Sequence, residues 1–503
     1  MKKKIFFILL ITCIVFSVSG VFAGDINDTA VTSDETALVG ESSDDLKAVS
    51  NDENQPVGDI KDLITYDDDG TFKALQIKLL LAESGSTINL TQDYKYNNEF
   101  NLTAGILISK DITINGNGHT IDGMGKSRIF IINYGDLSKQ YKVTLNNIKF
   151  KNGNANIYGG AILNFADLTI NKCSFTNNNA GTAGGAVNSL GALTLKNSVF
   201  NKNSAGGDAG AVFSLTFKKS ADFYRNYFGG KNVTEDVNLL FTIGMQALLE
   251  HGKDTISNCK FTNNIANGRG GGAVYAYSHI SINSCTFTSN RAGEKGAAVF
   301  GCKDLFIKNS NFNKNKVSMY GGAVYFKCHE QSGHYENGKW VSSVKYYTNK
   351  IEGSTFANNV AGERGGAIYG FRTSNSDKVH CAKAVKCTFS DNRAPKGKDI
   401  YGGTLKSCVF KNTKIVLKTV KVKKSAKKLT LQATLKKGSS ALKAKIVTFK
   451  FNGKTLKAKT NSKGIAKVKI TKSVLNKLKV GKKIKYQASY GRFIAKKTAK
   501  VYK

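Results

Sequence analysis

Residues 168–189 read LTINKCSFTNNNAGTAGGAVNS, and this stretch decides the fold because the chain repeats it. Two elements mark the copies. Gly-Gly-Ala stands at Gly159-Gly160-Ala161, Gly184-Gly185-Ala186, Gly271-Gly272-Ala273, Gly321-Gly322-Ala323 and Gly365-Gly366-Ala367, with degenerate copies at 209–211 and 296–298. Phe-x-x-Asn, or a close variant, begins at Phe175, Phe200, Phe261, Phe287, Phe312, Phe356 and Phe389. The alanines at 161, 186 and 211 are 25 residues apart, and so are those at 273, 298 and 323. Five residues before the Phe lies an aliphatic position, as at Ile170, Leu195, Ile256 and Ile307. Two before it lies Cys or Ser, as at Cys173, Ser198, Cys259 and Ser310. Two alternating runs joined by an offset of three describe a strand, a bend and a strand, not a helix of period 3.6. A period of about 25 residues is one coil of a parallel β-helix, in which like residues stack in columns. A β-sandwich would need the same spacing to recur by coincidence.

Working outward, Phe72 to Leu81 places Phe72, Leu75, Leu79 and Leu80 at helical spacing and predicts a cap over the first coil. The isoleucines at 88, 106–108, 112–114 and 121 supply irregular opening coils. Two insertions break the period, near 213–250, with a helical pattern from Glu235 to Leu249, and near 327–350. The second carries Tyr335, Trp340, Tyr346 and Tyr347, the candidate binding residues, because insertions in solenoids emerge on one face.

The flanks have other chemistry. Of the chain's +38, residues 415–503 carry +28 with no Asp or Glu, and residues 63–414 carry +16. The charge is thus a property of one terminal module, and the chain as a whole does not read as a nucleic-acid binder. Residues 1–23 have Lys2 to Lys4, an apolar run from Ile5 to Val18 and Val21-Phe22-Ala23, the pattern of a cleaved secretory signal; an uncleaved anchor is the other reading. Residues 24–65 form an acidic, disordered tether. No further run of about 18 apolar residues follows, so no membrane span is expected in the mature chain. Residues 415–503 alternate apolar residues with Lys and break at Asn452-Gly453 and similar turns, which predicts a small seven-stranded β-sandwich. Its basicity fits an anionic cell-wall polymer or phospholipid surface, or is compositional bias.

The Gly-Gly-Ala and Phe-x-x-Asn pair resembles the repeats of chlamydial polymorphic outer membrane proteins. Residues 112–123, ITINGNGHTIDG, are similar to the opening coils of pectin-lyase-like β-helices. Signal peptide, Asn-rich β-helix and Lys-rich end together resemble the adhesin-like surface proteins of methanogenic archaea, and the terminal module resembles Ig-like modules of surface proteins. The expected fold is all-β: a right-handed parallel β-helix over 66–412, then an Ig-like β-sandwich over 415–503. The resemblance implies a secreted or cell-wall-associated adhesin for glycans or other cells, without catalysis, cofactor or metal. A secreted polysaccharide lyase or hydrolase of the same fold is the rival. For that, Glu294, Glu363, Asp122 and His119 are the carboxylate and base candidates, each also readable as a turn residue. Cys328, His329 and His334 lack a fourth ligand for a metal site. The other cysteines fall mostly in the inward column, and spacing does not pair them. Sequons stand at Asn27, Asn89, Asn101 and Asn232.

Overall fold

The structure, a computed structural model, describes residues 66–99, 102–134, 139–216, 252–336, 339–371 and 383–503. The signal peptide, the tether, the pattern from Glu235 to Leu249 and three sequons (Asn27, Asn101, Asn232) lie outside them. Among the described residues, no helix is long and apolar enough to cross a membrane. The chain divides between Ile280 and Ser281 into two compact units.

In the first unit, each 25-residue repeat is one coil of a parallel β-helix. Strands pair in parallel with their counterparts one repeat away, with Leu168 opposite Leu193, Phe175 opposite Phe200 and Val187 opposite Val212. The second unit repeats the pattern, with Phe312 opposite Phe356 and Val324 opposite Ile368. Fixed register makes columns. The rings of Phe150, Phe175, Phe200 and Phe261 stack 4.6–4.9 Å apart inside the first unit. Those of Phe287, Phe312, Phe356, Phe389 and Phe410 stack 4.8–5.4 Å apart in the second. The spacing is that of hydrogen-bonded strands, so the backbone ladder and the ring stack share one repeat.

The Asn of Phe-x-x-Asn builds a buried ladder. Asn178 donates its backbone N–H and its Nδ2 to Asn203 Oδ1, at 3.0 and 2.9 Å. Asn315 does the same to Asn359. Each Nδ2 also reaches the carbonyl of a Phe, such as Phe150 or Phe287, so the buried amide leaves none of its groups unmet. Three left-handed residues per coil turn the chain between sheets, at the positions three before the Phe, two after it and, in most coils, nine after it. Asn holds many of these sites, including Asn147, Asn197, Asn177 and Asn263, because it tolerates positive φ. The Gly pair has two separate causes. Gly184 has φ +68°, whereas a Cβ on Gly185 would stand 2.3 Å from the carbonyl oxygens of Gly210 and Ser204.

The predicted cap is present. Helix α1 (Phe72–Leu81) is N-capped by Thr71, whose side chain accepts from Ala74 N, and it buries Phe72, Ala74, Leu75 and Leu79. Gln76 closes the open sheet edge. Its Oε1 accepts from Leu107 N at 2.7 Å and its Nε2 donates to Leu107 O at 3.2 Å. Beside it, the buried guanidinium of Arg128 donates to the carbonyls of Ala104, Tyr158 and Gly159. Burial lowers its pKa to about 10.

The last part of the second unit is a two-sheet β module with its own core of Leu417, Leu431, Val447, Phe449, Phe451, Ile470 and Tyr486. Nine strands stand where seven were expected, in sheets of four and five, with a short helix, Lys472–Leu475. One pair is parallel, with Val422 opposite Val501. On the outer side of the five-stranded sheet, register places Lys450 opposite Thr455 and Gln487, Gln487 opposite Lys496, and Lys483 opposite Lys500. No acidic side chain in the module neutralises them.

Candidate binding site

The aromatic insertion is an antiparallel hairpin of two strands, His329–Glu336 and Lys339–Tyr346. Strand residues alternate in direction, so register assigns the faces. His329, Gln331, Gly333 and Tyr335 stand opposite Tyr346, Val344, Ser342 and Trp340 on one face. On the other, Glu330 stands opposite Lys345 and Glu336 opposite Lys339. The rings of His329 and Tyr346 lie 6.0 Å apart. On this face Val344 and Tyr346 are exposed to 45% and 46%, whereas His329 at its base is buried.

Three of the four candidate residues therefore share a face. The fourth does not. Tyr347 is 2% exposed and belongs to the root. Its hydroxyl accepts from the buried Lys303 Nζ at 2.9 Å, and that ammonium lies 5.2 Å from the ring centroid. Tyr347 N donates to Cys328 O at 2.9 Å, closing the hairpin at its base. Below it, Asn349 donates Nδ2 to Lys327 O at 2.9 Å and accepts from Leu305 N at 3.0 Å. Cys328 is disulfide-bonded. Cys173, Cys259, Cys285, Cys302, Cys387 and Cys408 are thiols, so the partner sulfur lies outside the described residues. A disulfide at Cys328 removes it as a thiolate metal ligand.

The other insertion has a root of its own. Gly252 N donates to Thr216 O at 2.9 Å, and the fully buried Asp254 joins the coil to its neighbours. Its Oδ1 accepts from Leu193 N at 2.9 Å and from Thr216 Oγ1 at 2.7 Å, and its Oδ2 accepts from Ser214 and Ser278. Burial raises its pKa, and the hydroxyl and backbone donors oppose that rise. Neither Asp254 nor Asn349 was a candidate. The signal was present seven residues before each Phe, where Val143, Leu168, Leu193, Ile280 and Leu305 are aliphatic and Asp254 and Asn349 are not.

The catalytic candidates do not converge. Asp122 accepts from Met124 N at 2.8 Å and from Asn152 Nδ2 at 3.0 Å, which makes it a turn residue. His119 Nδ1 lies 3.2 Å from Asp93 Oδ1, so its partner is Asp93 and not Asp122. Glu294 pairs with Lys295 at 3.5 Å, and Glu363 accepts from Tyr320.

Comparison with known proteins gives partial matches. Residues 80–184 match the model of the pectate lyase-like adhesive domain. Residues 353–370 match the Chlamydia polymorphic membrane protein repeat. The metabotropic glutamate receptor-like protein R of Dictyostelium discoideum is 30% identical over 151 residues, which are 28% of this chain and 9% of that protein. The first two matches make the chain adhesin-like, similar to surface proteins that carry these modules.

Proposed function

We propose that this protein is a secreted cell-surface adhesin that binds glycans or the surfaces of other cells and does not turn them over. The hairpin carries the reading. Register places Tyr335, Trp340 and Tyr346 on one face of it, with Gly333 opposite Ser342 in between. Aromatic rings beside small polar residues suit sugars, which bring C–H faces and hydroxyls together. The adhesive-domain match supports the class. The Cys328 disulfide supports an extracellular site of action, since such bonds persist in oxidising compartments. The Lys-rich module, with the Ig-like character its turn spacing implies, would hold the protein to an anionic wall polymer by attraction that salt screens.

A glycan array probed with the mature chain tests this. Binding is expected, and Trp340→Ser with Tyr346→Ser should abolish it without loss of fold. Equal binding by that variant would remove the hairpin as the site. Release of unsaturated or reducing ends from a polysaccharide panel would replace the adhesin with the enzyme.

A further inference from the structure

The column two residues before each Phe holds a second feature. In the second unit it runs Cys285, Ser310, Ser354, Cys387, Cys408. Serine separates the first cysteine from the others, but Cys387 and Cys408 follow each other directly. Register makes them neighbours on adjacent coils, because Val385 lies opposite Lys406 and Thr388 opposite Val409. In-register parallel strands stand about 4.8 Å apart, inside the Cα range that a disulfide spans. The thiols also lean the right way. Cys408 Sγ points back one coil to Ala384 O at 3.3 Å, towards the coil that holds Cys387.

Access differs between the two. Cys387 is fully buried, and Cys408 is half-buried on the last coil. That coil is the outermost of its sheets, and Leu405, Val409 and Phe410 on it are 42–50% exposed. Two observations thus meet in one place: cysteines in register on adjacent coils, and a route from solvent to one of them. The chain also carries an oxidised cysteine at Cys328.

We propose that Cys387 and Cys408 form an oxidative modification site, closed to a disulfide by a small-molecule disulfide, which staples the last coil to the one before it. The Cys408 thiolate attacks a sulfur of the reagent, forming a mixed disulfide and expelling one thiolate. Cys387 then loses its proton to that thiolate and attacks Cys408 Sγ, expelling the second. Two protein thiols are oxidised and one reagent disulfide is reduced to two thiols, so atoms and electrons balance. Burial pushes the Cys387 thiol up to about 11, which makes the second step the slow one.

The test is peptide mapping of the folded, full chain after incubation with oxidised glutathione, with unreacted thiols alkylated in acid-quenched denaturant. Trypsin releases residues 387–393 and 407–411, each with one cysteine. The expected product is the two peptides joined, two hydrogens lighter than their sum. In Cys387→Ser, a substitution the column already accepts at Ser310 and Ser354, Cys408 should end as a stable glutathione adduct. Alkylation of both cysteines after wild-type treatment would overturn the proposal. So would a wild-type Cys408 that stays glutathionylated with Cys387 alkylated, or a Cys387→Ser chain that forms no adduct.

Discussion

The two coils that carry insertions interrupt the same aliphatic column with different groups, Asp254 in the first unit and Asn349 in the second. Both accept the backbone N–H of a leucine one coil earlier, Leu193 or Leu305. Both also hold the strand end from which the insertion departs. A coil without an excursion passes its backbone groups from neighbour to neighbour. A coil that leaves and returns exposes groups at the root that no neighbour meets, and a buried polar side chain meets them. The amide does this alone, since it brings donor and acceptor together. The carboxyl only accepts, so its coil and the next supply hydroxyls from Ser214, Thr216 and Ser278. The difference is between a latch that cannot titrate and one that can.

The largest effect expected is from Asn349→Leu, which restores the column's usual residue and removes both the acceptor of Leu305 N–H and the side-chain donor to Lys327 C=O. At about 1–3 kcal/mol for each of the two buried hydrogen bonds lost, the loss is roughly 2–6 kcal/mol. Asp254→Leu should cost less, about 2 kcal/mol, because it orphans Leu193 N–H but leaves the hydroxyls alternatives. Thr216 retains Gly191 O at 3.0 Å, and Ser214 and Ser278 lie 2.6 Å apart. Denaturant unfolding gives the ranking, and hydrogen exchange at the Leu305 and Leu193 amides localises it. Equal stability of both variants and the wild type would break the comparison.

Titration sharpens it. Asp254 Oδ2 and the hydroxyl oxygens of Ser214 and Ser278 are all within hydrogen-bonding distance of each other. Burial disfavours the charged carboxylate there, and the hydroxyl and backbone donors oppose that. Burial is the largest of the influences on this group. A folded pKa raised above the ordinary value of 3.8 gives stability that is full below that value. It falls by up to about 1.4 kcal/mol per pH unit above it and is gone once the folded pKa is passed. Asp254→Asn should remove this decline from unfolding measured between pH 4 and pH 8, and Asn349→Asp should introduce one. A wild type that gains stability over that range would refute the raised pKa.

Much of the fold was legible because a stacked fold writes its register into sequence. Phe, Asn and Gly-Gly recur at fixed offsets, since each contacts its own copy in the next coil, and a helix starting at Phe72 follows from the need to cover an end. The candidate site was legible only in part. Asn337-Gly338 between alternating runs is a hairpin signal, but a count of aromatics says nothing of which residues pair across it. Nothing local separates Tyr346 from Tyr347. One faces solvent and the other fills the root, and only alternation from the Cys328 closure decides which. The extra strands of the Lys-rich module escaped for the same reason, since two-residue strands such as Val422–Lys423 exist only through a distant partner.

That pair of tyrosines gives the smallest effects and the finest distinction. Tyr347→Phe keeps the ring over Lys303 and deletes one hydrogen bond from a buried ammonium, at a cost of about 1–2 kcal/mol. Tyr346→Ser, on the exposed face, should stay within about 0.5 kcal/mol of wild type. If the hairpin is the binding element, their effects on glycan retention should be reversed. Tyr346→Ser should weaken binding with stability unchanged, and Tyr347→Phe should lower the melting temperature while binding at 25 °C is retained. If both variants lost binding in proportion to stability, the hairpin would be a structural appendage and not a contact surface. If neither lost binding, the ligand would lie along the coils, where an insertion's latch holds the chain together and has no part in recognition.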